Sequence, residues 1–246
     1  MTRRFLASPL RLALAALAAA ALCGSTATAS ILIPTSLGNG ADSMLARDES
    51  GNGGPFSGDN TLGGGTNMQV RSGDATGRNR LGIVRFDTSS LAVVNPAGAR
   101  IDFHETGNNG RAITVYGLND GDVGEGWDEA TITYNTAPGI SFNNSAAPLL
   151  TTDFDPARLT NLGTLMTTAS TDEVVSFSGA ALEAFIAADT NSLLTFYLYQ
   201  PGSNGNVVFT TKEGGRAPTL VLVPEPTAGL LLGLAGVALA AVRRRR

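Results

Sequence analysis

The sequence predicts an all-β fold, an antiparallel β-sandwich with one short helix, and three observations support this. Apolar residues alternate with polar residues in short runs, which is the period of a strand that buries one face. Turn-forming residues separate the runs, since the 246 residues include 30 glycines and 11 prolines. Only 15% of the residues are charged and 43% are apolar, enough to build a core. Short strands separated by turns are typical of sandwiches.

Composition divides the chain into residues 1–29, 30–223 and 224–246. The two end segments hold seven of the 17 basic residues, so the central segment is more acidic than the formal charge of −4 of the whole chain suggests. This charge argues against a general nucleic-acid binder. One cysteine and one histidine exclude a disulfide framework, a multi-thiolate zinc site and a multi-histidine metal site.

Residues 1–29 have the pattern of a secretory signal peptide. Arg3 and Arg4 precede an apolar run over residues 10–22 that is interrupted only by Arg11, and Ala27-Thr28-Ala29 provides the small residues at which signal peptidase cleaves. We expect cleavage after Ala29. A retained membrane anchor is less favoured, because the run is shorter than the roughly 20 residues of a span. Acylation of Cys23 is also less favoured, because Leu22 is large for that processing site.

The central segment, 30–223, is expected to form one β-sandwich domain, and its elements follow in chain order. A glycine-rich loop is predicted over 49–67, and an inner strand over 81–86. A β-hairpin is predicted around Asn109-Gly110. Apolar residues alternate with polar ones before this turn, at Ile101 and Phe103, and after it, at Ile113 and Val115. Further strands are predicted over 131–134, 194–198, 207–210 and 219–223. One helix is predicted between the first two of these strands. Ser178 caps it, it runs to about Ala188, and Leu182, Phe185 and Ile186 form its apolar face.

No enzyme constellation is present in the sequence. There is no Gly-x-Ser-x-Gly motif, and His104-Glu105 lacks the second histidine of a zinc-protease helix. Asp128-Glu129 is expected to cap a turn rather than to act as a glycosidase pair. The run Asn119-Asp120-Gly121-Asp122 could bind calcium, but a solvated turn is favoured because further ligands are missing. We therefore expect no enzyme and no cofactor, with calcium as a weak possibility.

Several segments recur in a recognisable order. They are Asp42-Ser43-Met44-Leu45, Asn60-Thr61-Leu62-Gly63, the run from Gly77 to Asp87 with Asn79-Arg80-Leu81, the run from Gly126 to Pro138 with Trp127-Asp128-Glu129 and Thr133-Tyr134-Asn135, Phe209-Thr210-Thr211-Lys212-Glu213, and Pro218-Thr219-Leu220. This order resembles the DNRLRE domain family, which is similar to polysaccharide-binding modules of β-sandwich, jelly-roll fold. The resemblance covers most of the central segment and implies a jelly-roll-like sandwich and carbohydrate binding.

Two functions are open for the central segment. Arg71, Arg78, Arg80 and Arg85 fall within fifteen positions and could bind an acidic polysaccharide, because arginine forks hold carboxylates and sulfates bidentately. Tyr197 and Tyr199 could provide a platform for sugar rings. Arg80 and Arg85 are expected to pair with internal acids such as Glu213 instead, and tyrosines often cover a sheet. The alternative function is a structural extracellular-matrix protein with no dedicated ligand.

Trp127 is the only tryptophan and follows Gly126. An exposed tryptophan would be a candidate for stacking on sugars. Its place just before the predicted strand 131–134 favours core packing at one end of the sandwich.

Residues 224–246 combine Pro224-Glu225-Pro226, an uncharged run over 228–242 and Arg243-Arg244-Arg245-Arg246. The run predicts a short transmembrane helix, and the terminal arginines are expected to stay cytoplasmic. The order resembles the PEP-CTERM sorting signal of Gram-negative bacteria that make exopolysaccharide. The resemblance implies transient anchoring in the inner membrane, removal of the tail by an exosortase-type enzyme as partner, and delivery to the cell surface or extracellular matrix.

Overall fold

The structure, a computed structural model, describes residues 30–47, 49, 55–71, 78–92, 94–107, 110–141, 151–168, 170–202 and 205–223. The predicted signal peptide, 1–29, and the predicted sorting tail, 224–246, with its membrane span 228–242, lie outside the described residues. Over the ranges just given, no helix has the length and apolar character needed to cross a membrane.

The described residues form strands and one α-helix in this order: β1 Ile31–Pro34, β2 Ala41–Ala46, β3 Asn67–Val70, β4 Arg80–Asp87, β5 Arg100–Gly107, β6 Ala112–Leu118, β7 Leu159–Met166, β8 Glu173–Ser178, α1 Ala180–Ala188, β9 Leu193–Tyr199, β10 Val207–Thr210 and β11 Thr219–Leu222. Short 3₁₀ helices cover Tyr134–Thr136, Thr151–Asp153 and Lys212–Gly214.

The strands form two antiparallel sheets. One has five strands in the order β2-β4-β9-β6-β7. The other has six, in the order β1-β11-β5-β10-β3, with β8 also paired to β5. Apolar side chains from both sheets pack together, with Phe86 and Phe196 from one and Phe103 and Phe209 from the other. The predicted all-β sandwich with one short helix is therefore confirmed for the described residues.

The five-stranded sheet is largely buried on both faces, except at its edge strand β7, where several side chains are exposed. Its inner face packs in the core between the sheets, with Val84, Phe86 and Leu198. Its outer face carries a second apolar cluster, to which the long segment between β6 and β7 contributes Trp127, Tyr134 and other residues. This explains why every residue of β4 is buried. It confirms the prediction of an inner strand over 81–86.

The predicted hairpin around Asn109-Gly110 is wrong. The strand before it, β5, pairs with β8, β10 and β11 in the six-stranded sheet. The strand after it, β6, pairs with β7 and β9 in the five-stranded sheet. The alternation of apolar residues indicates that one face of a strand is buried, and it does not determine which strand lies beside it. The connection therefore crosses from one sheet to the other.

Two local predictions also need correction. Residues 131–134 do not form a strand: Thr131 is in a turn, 132 and 133 have no regular structure, and Tyr134 begins the 3₁₀ helix Tyr134–Thr136. The amide of Ile132 donates to the carbonyl of Asp128 at 2.8 Å, which closes the turn. The helix α1 ends at Ala188 as predicted, but Gly179 is its N-cap, whereas Ser178 is the last residue of β8. Gly179 has a φ of 142°, which favours glycine there.

Candidate functional site

Four arginines gather where the two sheets meet at the ends of β2, β3 and β4. Arg71 and Arg80 form an antiparallel bridge, with N···O distances of 2.9 and 2.8 Å. The amide of Arg47 donates to the carbonyl of Asn79 at 2.9 Å, and Arg78 is two residues before Arg80. We call Arg47, Arg71, Arg78 and Arg80 the arginine corner.

The base of the arginine corner is a buried ion pair. Arg80 Nε donates to Glu49 Oε1 at 2.8 Å, and Nη2 donates to Oε2 at 3.0 Å. Arg80 also donates to Gln69, and its guanidinium lies 4.8 Å from the ring centre of Phe56. Glu49 is fully buried, and Arg47 and Arg80 are nearly so. The bidentate geometry fixes the guanidinium and makes Arg80 a structural residue.

Arg71 and Arg78 are the more accessible members of the arginine corner. Both are half-buried. The Nε atom of Arg78 is buried, and no described residue accepts a hydrogen bond from it. A buried donor costs free energy unless an acceptor is close, and the described residues supply none to Arg78 Nε. The structure thus brings the two predicted ligand-binding arginines to one corner.

Arg85 has a different environment from the one predicted. Its Nε donates to the carbonyl of Asn39 at 2.8 Å, and its Nη1 donates to the carbonyls of Glu125, at 2.9 Å, and Trp127. Its guanidinium lies 4.9 Å from the Trp127 ring. The pairing of Arg80 or Arg85 with Glu213 is therefore corrected: Arg80 pairs with Glu49, and Arg85 is held by backbone carbonyls. A sequence motif cannot identify a carbonyl as the partner.

Tyr197 and Tyr199 do not form a sugar platform. Tyr197 has no exposed surface and Tyr199 only 3%. The hydroxyl of Tyr197 donates to the carbonyl of Pro138 at 2.7 Å, and burial raises the pKa of Tyr197 well above its usual value. Both tyrosines share one face of β9, as predicted, but the segment between β6 and β7 covers that face. Stacking on a sugar requires an exposed ring, so the prediction is wrong.

The carboxylates of the Asn119–Asp122 turn are engaged by other side chains. Asp122 accepts two hydrogen bonds of 2.6 Å from Arg158, and this hydrogen bonding lowers the pKa of Asp122. Asp120 accepts from the hydroxyl of Thr190 at 2.7 Å. A cation at this turn would have to displace both partners.

Sequence reasoning missed a group of three carboxylates that contains no residue of that turn. Oxygen atoms of Asp42, Glu129 and Glu213 all lie within 4.8 Å of one another. We call these residues the carboxylate cluster. Asp42 is fully buried, and desolvation raises its pKa to about 6. Burial also raises the pKa of Glu129. The three residues come from distant parts of the chain, so no local motif contains them. The only sequence signal was Asp42, a charged residue inside a strand.

A cleft of about 400 Å³ borders the carboxylate cluster. Its lining includes Arg85, Asp128, Glu129 and Lys212, with the backbone of Gly63 close by. Asp128 accepts from the amide of Ala130 at 2.9 Å, which agrees with the turn predicted at Asp128-Glu129. Glu129 instead accepts from Lys212 Nζ. The cleft therefore contains charges of both signs.

His104 is on β5 and lines a second cavity together with Glu213 and Arg216. Its Nε2 is 2.8 Å from Asp172 Oδ1, and Arg216 contacts both side chains. Its neighbour Glu105 is fully buried and accepts from the amide of Thr168 at 3.1 Å. Burial raises the pKa of Glu105. The two residues point to different surroundings, as expected for neighbours on a strand.

The predicted sorting residues Pro224, Glu225, Pro226 and Arg243–Arg246 lie outside the described residues. In comparisons with known proteins, no family model and no curated protein matches the chain. The candidate sites therefore rest on the geometry given above.

Proposed function

We propose that the chain is an exported surface or matrix protein whose jelly-roll-like β-sandwich binds an acidic polysaccharide at the arginine corner. One observation carries the proposal: the buried Nε of Arg78 has no acceptor among the described residues, and Arg78 is two residues from Arg80, the bridge partner of the half-buried Arg71. The resemblance to the DNRLRE domains points to the same ligand class.

The chemistry of the corner suits a polymer of acidic sugars. A guanidinium can donate two parallel hydrogen bonds to one carboxylate or sulfate. Arg80 is held rigidly by Glu49, which fixes the backbone that carries Arg71 and Arg78. A fixed scaffold lowers the entropy lost on binding. The excess of acidic residues elsewhere favours binding at this corner over general attraction of polyanions.

Affinity electrophoresis through gels that contain polygalacturonate, alginate or a neutral glucan tests this function. We expect the acidic gels to retard the protein and the neutral gel to leave its mobility unchanged. The double variant Arg71→Ala/Arg78→Ala should bind at least about tenfold more weakly, since a hydrogen bond to a charged group contributes about 1.5–3 kcal/mol. Its melting temperature should stay within about 2 °C of the parent, because the Arg80–Glu49 pair is intact.

Arg100→Ala is the matched control. Arg100 is a partly exposed arginine on β5, paired with Asp102 at 3.0 Å, and it is not part of the arginine corner. We expect this variant to bind like the parent protein. Equal loss in Arg100→Ala would indicate unspecific charge attraction. If the parent protein binds no acidic polysaccharide in a broad panel, the proposal is wrong and a structural matrix protein without a dedicated ligand is favoured.

We propose in addition that residues 1–29 direct export and that 224–246 act as a sorting tail for an exosortase-type enzyme. The pairing of β1 with β11 supports this division, because Ile31 lies opposite Leu222 in the sheet. Cleavage after Ala29 and near Pro224–Pro226 would leave both end strands inside the domain. Mass spectrometry of the extracellular protein from its native host should detect neither end segment. Intact Arg246 on that protein would contradict the sorting proposal.

A further inference from the structure

We propose that the carboxylate cluster of Asp42, Glu129 and Glu213 binds a calcium ion that joins the two sheets at one end of the sandwich. This site is separate from the Asn119–Asp122 turn and from the arginine corner. It goes beyond polysaccharide binding and does not depend on it.

The three carboxylates come from three different parts of the fold. Asp42 is on β2 in the five-stranded sheet, and Glu129 is in the segment between β6 and β7. Glu213 is in the 3₁₀ helix Lys212–Gly214, directly after β10 of the six-stranded sheet. Their oxygens nevertheless lie within 4.8 Å of one another. An ion bound by all three would connect both sheets and the segment between β6 and β7, which we call the covering segment.

Asp42 provides a second, independent indication of a ligand. Its side chain is fully buried. Its Oδ2 accepts from the hydroxyl of Thr35 at 2.5 Å and from the amide of Lys212 at 3.1 Å. Its Oδ1 is buried and has no hydrogen-bond donor among the described residues. A buried carboxylate oxygen without a donor is costly, and a cation in the cluster would satisfy it.

The positive charges nearby do not balance the cluster. Lys212 Nζ donates to Glu129, and its single charge faces three carboxylates. Two arginines are near. The guanidinium of Arg85 is bound to the carbonyls of Asn39, Glu125 and Trp127, and that of Arg216, which lines a cavity with Glu213, is bound to Asp172. Asp128 lines the same cleft and adds a further negative charge. The cluster therefore retains an excess of negative charge, and Lys212 is the group that a metal ion would displace from Glu129.

The ligand atoms favour calcium over softer metals. All three are carboxylate oxygens, and hard cations such as calcium prefer oxygen ligands. Glu213 is exposed, and Glu129 borders an open cleft, so water can complete the six to eight oxygens that calcium takes. The backbone also crowds this site, because a Cβ on Gly63 would come within 2.3 Å of the Glu129 carbonyl oxygen. That tight loop holds Glu129 in place.

Isothermal titration of the chelator-treated protein with calcium chloride tests the site. We expect one ion per chain in the parent protein. Calcium at about 100 times its dissociation constant should raise the melting temperature by about 5–10 °C. Terbium should bind competitively and luminesce on excitation of Trp127, which is two residues before Glu129.

Four variants locate the ion. Glu213→Gln changes an exposed side chain, so it should fold normally and bind calcium at least about tenfold more weakly. Asp42→Asn should abolish binding. Lys212→Gln should bind more tightly than the parent, because it removes the competing ammonium. Asp122→Asn is the control and should bind like the parent, because Asp122 pairs with Arg158 instead.

The proposal fails if the parent protein and Lys212→Gln show neither binding heat nor a melting shift up to 10 mM calcium, a range that covers weak extracellular sites of roughly 10⁻⁴–10⁻³ M. It also fails if Glu213→Gln binds like the parent. Loss of binding in Asp122→Asn alone would place the ion at the Asn119–Asp122 turn and overturn the assignment.

Discussion

At the scale of single residues, Trp127 connects the covering segment to the five-stranded sheet. Its indole is 7% exposed, and Nε1 donates to the hydroxyl of Thr195 at 3.2 Å. The guanidinium of Arg85 lies over its ring. The expected burial of Trp127 is confirmed, but the indole packs in the apolar cluster on the outer face of the five-stranded sheet rather than at one end of the sandwich.

Replacing Trp127 by alanine should lower the free energy of unfolding by about 3–5 kcal/mol, because truncation of a buried aromatic residue leaves a cavity. The loss of the contact with Arg85 adds to this cost. Urea denaturation followed by circular dichroism measures the change. Trp127→Phe, which keeps most of the volume, should lose clearly less. A loss below about 1 kcal/mol for the alanine variant would contradict burial of the indole.

At the scale of elements, α1 packs against the five-stranded sheet, and its Phe185 ring makes a close contact with β6. A Cβ added to Gly117 on β6 would come within 2.5 Å of the Phe185 ring. Phe185 also contacts Phe196, with ring centres 5.4 Å apart. The helix therefore requires a glycine at this place in β6, and the requirement comes from close approach rather than from backbone conformation.

Gly117→Val should lower the free energy of unfolding by about 1–3 kcal/mol, the usual cost of overpacking. Phe185→Ala should make room for the new side chain, so the double variant should lose less than the sum of the two single losses. Ala112→Val, at the half-buried start of the same strand, is the control and should change stability little. Additive losses in the double variant would show that Phe185 does not restrict the size of the side chain at position 117.

At the scale of the whole molecule, several acids are buried within a chain that has an excess of negative charge. Desolvation raises the pKa of Asp42 to about 6, between pH 5 and pH 7.5, and burial also raises the pKa of Glu105, Glu125 and Asp189. A carboxyl whose pKa is higher in the folded state stabilises the fold when it is protonated. This contribution is complete below the pKa of the unfolded carboxyl and is lost as the pH rises through the folded pKa. Asp122 acts oppositely, because Arg158 lowers its pKa, and its contribution is lost only in stronger acid.

We therefore expect the protein, in EDTA, to be more stable towards urea at pH 5 than at pH 7.5. Glu105→Gln should reduce the difference between the two pH values, because an amide is neutral at both and its oxygen can still accept from the amide of Thr168. The midpoint of urea denaturation at each pH provides the measurement. Equal midpoints at pH 5 and pH 7.5 for the parent would contradict the expectation.

Sequence alone determined the class of the fold and several of its elements. Alternation and turn residues identified the strands at 81–86, 207–210 and 219–223, because burial of one or both faces of a strand determines where its apolar residues occur. The same pattern could not choose partners, so Asn109-Gly110 suggested a hairpin where the chain crosses between sheets. The segment between β6 and β7 also escaped local reasoning, since no strand periodicity shows that it will cover a sheet.

The candidate sites divide in the same way. Local clustering placed Arg71 and Arg78 together, because they are close along the chain and Arg71 pairs with Arg80, two residues after Arg78. The burial of Tyr197 and Tyr199 could be seen only in the tertiary structure, because the segment between β6 and β7 covers them. The carboxylate cluster also depends on the tertiary structure, because Asp42, Glu129 and Glu213 are far apart in sequence. Local chemistry is readable from the order of residues, whereas burial and long-range contacts depend on packing between elements.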